Sequence, residues 1–191
     1  MKQPHAMQAL LWFVGILVAL CGCIGPSQPQ KQAPVVRTAS SVAPATQLKP
    51  EGALPSSCPA TPVYQGGTGD ISGIADIPWV QAQPISSGIR GYLFYAHSAT
   101  TKSGTYRFLH TGGGYPDGSA TKILWIVDSP QASGPLQIDG TNMSVPGKNF
   151  HQIIAGEGEI PSIVVVPSAG CWRLHIISGN ANGALILWVV G

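Results

Sequence analysis

From about Cys58 to the C-terminus, apolar runs of five to nine residues are cut repeatedly by clusters of Gly, Pro, Ser, Asn and Asp. Runs that short, bounded by turn-forming residues, read as β-strands rather than helices. The punctuation includes Ser86-Ser87-Gly88, Thr111-Gly112-Gly113-Gly114, Pro116-Asp117-Gly118 and Ser178-Gly179-Asn180. The runs between such clusters predict strands over 74–80, 89–97, 104–110, 121–128, 135–139, 149–155, 161–166, 171–178 and 184–190. No helical apolar period persists beyond two turns after residue 24. Composition agrees: the chain holds 24 Gly and 17 Pro but only 9% charged residues. That balance suits short strands joined by many turns and not a helical bundle rich in Ala, Glu, Lys and Leu.

Nine short strands in one stretch of chain predict an all-β domain built as an antiparallel two-sheet sandwich. The expected architecture resembles that of immunoglobulin-like domains, with a jelly roll as the nearest alternative. The resemblance is architectural, because antibody-type domains place a Trp between two cysteines. Here the cysteines of the domain region are Cys58 and Cys171, and Trp172 directly follows the second. Alternation along 171–177 places Trp172, Leu174 and Ile176 on one face and Cys171, Arg173 and His175 on the other. The first set is expected in the core. Cys171 then stands on the outer face, where it can meet Cys58; two cysteines in one exported domain usually pair, so Cys58–Cys171 is a candidate disulfide. The final run, Leu185 to Val190, is apolar on both faces and predicts a strand that is central or covered.

The N-terminus has a different character. Residues 1–8 carry Lys2, and residues 9–20 (ALLWFVGILVAL) form an apolar run of 12 residues. A spanning helix needs roughly 20 residues, whereas the apolar region of a signal peptide takes about 7–15. Next comes Leu20-Cys21-Gly22-Cys23. These residues resemble the lipobox of bacterial lipoproteins, with Leu20 at −3 and Gly22 at −1 relative to Cys23. The resemblance implies that residues 1–22 are a cleaved signal peptide, and that the Cys23 thiol carries diacylglycerol and anchors the protein in a membrane. Two acyl chains give a lasting anchor where one gives only marginal binding. The expected location is extracytoplasmic, on the cell membrane, or on the outer membrane in a two-membrane cell. Ile24 stands where an Asp often retains such proteins at the inner membrane.

Residues 24–62 contain no aromatic residue and eight prolines among Gln, Ser, Ala and Thr. Such a stretch is expected to be disordered with polyproline character. The organisation expected is therefore a signal peptide over 1–22, a lipid-bearing Cys23 and Pro/Gln/Ser-rich tether over 23–62, and a β-sandwich over 63–191.

Chemistry is sparse in the sequence. Net charge is +2 and no two like charges adjoin, so there is no basic footprint for nucleic acid. His97, His110, His151 and His175 fall on separate candidate strands without metal-ligand spacing. No Gly-x-Ser-x-Gly, phosphate loop or Cys-x-x-Cys is present. Asp70, Asp76, Asp117, Asp128, Asp139, Glu157 and Glu159 supply carboxylates, but no spacing selects a catalytic pair. No catalytic residue, metal site or cofactor is therefore expected. Tyr115 and Asp117, on the Gly-rich loop, are candidate ligand contacts. Trp79, Trp125, Trp172 and Trp188 are candidates for either core packing or a sugar-binding platform. The leading expectation is a non-enzymatic lipoprotein displaying a sandwich for binding or adhesion, with the membrane and a cell-envelope protein or glycan as partners. The alternatives are a glycan- or solute-binding lipoprotein and a small extracytoplasmic hydrolase or metal-binding protein.

Overall fold

In the computed structural model the described residues are 42–67, 74–97 and 103–191. The signal peptide, Cys23 and the tether as far as residue 41 lie outside them. The described strands are β1 (Thr46–Pro50), β2 (Val63–Gln65), β3 (Trp79–Gln81), β4 (Ile89–Leu93), β5 (Thr105–Tyr106) and β6 (Leu109–His110). They continue with β7 (Lys122–Val127), β8 (Leu136–Asn142), β9 (Asn149–Ile154), β10 (Glu159–Ile163), β11 (Gly170–Ser178) and β12 (Ala181–Val190). One sheet runs β10-β7-β4-β3-β2-β1-β5 and the other β6-β12-β11-β8-β9. The two pack face to face as an all-β sandwich.

Side-chain alternation decides the packing. On β11, Trp172, Leu174 and Ile176 point inward and are fully buried, while Arg173 and His175 are exposed, as the period-two pattern predicts. From the facing sheet, Ile89, Leu93, Ile123 and Trp125 join the same core. Burying an indole also requires its N–H to be satisfied. Trp125 donates to Ser162 Oγ at 2.9 Å, and Trp172 donates to the Ser168 carbonyl at 2.8 Å.

Hairpin β11–β12 is the longest pairing, running in register from Gly170↔Val189 to Ser178↔Ala181. Its tight turn uses Gly179 at φ 58°, with no room for a side chain, since a Cβ would lie 2.3 Å from Ser133 Oγ. Gly140 on β8 serves close approach instead: the Phe150 ring of β9 lies over it, 2.0 Å from where a Cβ would stand. Pro161, which lacks a backbone N–H, sits on edge strand β10.

Besides shifted strand ends, the unpredicted strand β2 and a 3-10 helix at Phe94–Ala96 within the run 89–97, the structure departs from the sequence reading in four places. First, Thr46–Pro50, within the stretch read as tether, is strand β1, pairing with β2 and β5 and burying Leu48. The compact unit therefore reaches back ahead of residue 63. Second, the run 104–110 is two strands in different sheets, because the chain crosses between sheets at Arg107 and Phe108. Third, of 74–80 only its last two residues join β3. Ahead of them Ile77 N–H closes a turn onto the Ile74 carbonyl, and Ile77 covers Tyr92 and Ile126 on the outer face of the seven-stranded sheet. Fourth, the sheets are not wholly antiparallel: β1–β5 and β6–β12 run parallel.

Cys58 and Cys171 form a disulfide with Cα atoms 5.5 Å apart. It lies on the outer face of the five-stranded sheet, at the start of β11, and not between the sheets. It closes a loop with a sequence separation of 113 residues, for which chain entropy alone sets a stabilisation of about 4–5 kcal/mol. Replacing both cysteines by Ala is expected to lower unfolding free energy by up to about that amount, measured by urea titration. A second expectation concerns Tyr92, whose hydroxyl is buried without a hydrogen-bond partner among the described residues. Tyr92→Phe should leave stability unchanged or raise it by about 1 kcal/mol, because it removes an unpaired polar atom; the same titration reads it.

Candidate ligand-binding grooves

The segment after Cys58 is held at two points. The disulfide fastens its start to β11, and three residues later Thr61 docks on the edge of β12. Thr61 N–H donates to the Ile186 carbonyl and Ile186 N–H donates to Thr61 Oγ1, both at 2.8 Å. Gln83, just past β3, makes a reciprocal backbone pair with Ala184 at 2.8 Å in each direction. Residues 58–62 thus form a strap that leaves the outer face of the five-stranded sheet, passes the edge of β12 and enters the other sheet as β2.

Grooves lie on both flanks of this strap and share Thr61, Pro62 and Gln83. One, of about 400 Å³, is lined by Pro59, Ala60, Arg173, Ala184, Leu185 and Ile186 as well. The other, of about 390 Å³, adds Tyr64, Trp79, Gln81 and Ile85. Both fall within the about 300–1,000 Å³ usual for small-ligand sites. Past Arg173 the first groove adjoins a polar hollow of about 310 Å³ bounded by Asp139, Thr141, Arg173 and His175.

In the second groove, Tyr64 and Trp79 are cross-strand partners whose rings lie 5.2 Å apart at 35°. Trp79 Nε1–H donates to the Gly66 carbonyl at 2.9 Å, which fixes the ring. Both rings are half-buried, whereas Trp125 and Trp172 are sealed in the core. Trp188 is also half-buried, on the outer face of β12. The four tryptophans therefore divide between core and surface.

On the outer face of the five-stranded sheet, Asp139 is the register partner of both His175 and His151. It meets the His151 ring nitrogen at 2.6 Å. Arg173 has no acidic partner within ion-pair distance among the described residues. No three His, Cys, Asp or Glu side chains converge to hold a metal ion among those residues. His97 is exposed, and the His110 ring packs on Tyr115 at 5.5 Å. Asp70 lies outside the described residues.

Tyr115 and Asp117 are brought together, but for internal use. Tyr115 is buried, its hydroxyl donates to the Phe108 carbonyl, and the Arg107 guanidinium sits 3.9 Å above its ring. Asp117 accepts from Ser119 N–H at 2.9 Å and Ser119 Oγ–H at 2.5 Å, and pairs with Arg107 at 3.3 Å. The Ser119 hydrogen bonds, then Arg107, hold its carboxyl below the usual range. The loop is closed by the Gly114–Ala120 bridge, and Tyr115 and Asp117 are both held by bonds within the fold. The groove residues Thr61, Tyr64, Gln83 and Ile85 were not singled out by the sequence; of this lining only Trp79 was, as a candidate for core packing or a sugar platform.

Compared with protein-family models, with curated proteins and with solved structures, the chain has no match.

Tyr95, Tyr106 and Tyr115 gather at one end of the core, with Tyr95 and Tyr115 rings 6.2 Å apart. Burial raises all three phenols, Tyr106 to about 12 from the ordinary 10.0. A raised phenol favours the protonated folded state, so its contribution is complete below the unfolded pKa and lost as pH climbs toward the folded one. Thermal stability should thus begin to fall above about pH 10. Tyr106→Phe should make that fall shallower, by up to about 1.4 kcal/mol per pH unit, as measured by melting across pH 9–12.

Proposed function

We propose that the protein is an extracytoplasmic lipoprotein, anchored by lipid on Cys23, whose β-sandwich binds a component of the cell envelope without catalysing a reaction. The observation that carries this reading is the Cys58–Cys171 disulfide. Structural disulfides form and persist in oxidising compartments and are rare in the cytosol. The apolar run 9–20 and Leu20-Cys21-Gly22-Cys23 supply a route to such a compartment.

The bridge also suits a tethered protein. It ties Cys58, on the N-terminal side of the domain, to β11 in the middle of the second sheet. Pull transmitted from an anchor at residue 23 then reaches a covalent link before it reaches the strap's hydrogen bonds at Ile186. Beneath that link the two strap grooves present rings, amides and a hydroxyl, which suit recognition. Arg173, His175 and Asp139 form a polar part of the exposed sheet face, a surface suited to a protein or glycan partner of the envelope.

The test is intact-mass measurement of the full chain extracted from membranes. The expected product lacks residues 1–22 and carries acyl chains on Cys23, and Cys23→Ser should leave the chain unprocessed and without acyl chains. An unprocessed wild-type chain bearing no acyl group would refute the anchored reading.

A further inference from the structure

We propose that the groove between the strap and the Tyr64–Trp79 pair binds a neutral oligosaccharide, an inference that names the ligand class for the binding module described above. Three observations carry it. The first is the aromatic wall. Trp79 is locked by its bond to Gly66, and its indole N–H is thereby used, so the ring offers its apolar face alone. Tyr64 extends that surface at 5.2 Å. A pyranose has one face of C–H groups, and an aromatic ring packs against such a face while the sugar's hydroxyls point to the rim.

The second is the set of open polar groups at that rim. Gln83 is exposed, and its carboxamide makes no hydrogen bond among the described residues. Gln81 Nε2 donates to the Ala82 and Ile89 carbonyls, which leaves Oε1 as an acceptor. Thr61 Oγ1 already accepts from Ile186 N–H, which leaves its hydroxyl proton to donate. The groove thus holds a donor, an acceptor and an amide that is both. Sugar hydroxyls donate and accept at once and match that mixture. A purely apolar ligand would bury these groups unpaired, at a cost.

The third is charge. Among the described residues, no carboxylate, ammonium, guanidinium or imidazole lines this groove. Arg173 lines the groove on the other flank of the strap, so an acidic sugar would be drawn there instead. A proline-rich peptide also seeks aromatic grooves, but it docks across successive aromatic ridges, and this groove has one tilted pair among the described residues.

The experiment uses the full chain in detergent, titrated by calorimetry and tryptophan emission with cellohexaose, chitohexaose and mannohexaose. Hexagalacturonate and decaproline serve as the acidic and peptide arms. At least one neutral hexasaccharide is expected to bind and shift the emission. Tyr64→Ala should weaken that binding tenfold or more, and Gln83→Ala, whose backbone bonds to Ala184 are retained, threefold or more. Melting curves and circular dichroism of Gln83→Ala should match the wild type, which separates loss of contact from loss of fold. Failure of all three neutral sugars to bind the folded protein overturns the inference. So does sugar binding that both variants leave intact, or a preference for hexagalacturonate or decaproline. With acyl chains found on Cys23, such a failure leaves the anchored-module reading standing. Conversely, an unprocessed chain that binds a neutral sugar through Gln83 refutes the anchor and keeps the groove.

Discussion

The edge of β12 turned away from β11 is the constraint around which the rest is arranged. β12 is apolar on both faces, and β6 pairs with it only at Val189 and Val190. An uncovered apolar edge in water is a template for association with other chains. Thr61 and Gln83 close it with the hydrogen bonds to Ile186 and Ala184. Both residues belong to the other sheet's connections, one just before β2 and one just after β3. Closing one strand's edge therefore ties the two sheets together along one side of the sandwich. The opposite side is tied more lightly. There Gln152 of edge strand β9 donates to the Ile163 carbonyl and accepts from Val165 N–H, at the end of edge strand β10.

The disulfide acts on this arrangement from outside the core. Cys58 lies three residues before Thr61, so the cross-link fixes the strap close to the place where it must meet β12. The core itself does not need the bridge for packing, since neither cysteine belongs to the cluster around Trp125 and Trp172. Cross-link and core thus serve different ends. Apolar burial holds the sheets face to face, while the covalent link limits how far the segment ahead of β2 can peel away. The grooves depend on the second function, because Thr61 and Pro62 line both of them.

What could be read from the sequence follows from the range of the interactions involved. Alternation is a local property, so the inward set Trp172, Leu174, Ile176 and the outward Cys171 were legible from residues 171–177 alone. The cover over β12 was legible too, as a strand apolar on both faces. Thr46–Pro50 was not, because its own pattern places only Leu48 inward and its pairing partners come from β2 and β5. Likewise 104–110 looked like one apolar run, and only the change of sheet at Arg107 and Phe108 divides it. The grooves were the least legible feature. Thr61, Tyr64, Trp79 and Gln83 gain meaning from the strap's path over the edge of the sandwich, and no local pattern encodes that path.

Residues 115–119 and the strap grooves show why candidate residues must be judged by what their polar groups are already doing. Tyr115 and Asp117 have the chemistry of ligand contacts and sit on a Gly-rich loop, yet Phe108, Ser119 and Arg107 already engage them. A ligand there would have to break those bonds before forming its own, and the exchange would gain little. Gln83 and the free oxygen of Gln81 carry no such prior commitment, and the neighbouring rings exclude water from one side. Bonds formed there replace only bonds to solvent, and the rings beside them add apolar contact that solvent cannot supply. Of the two places, the strap grooves leave more of their polar groups uncommitted than the Gly-rich loop does.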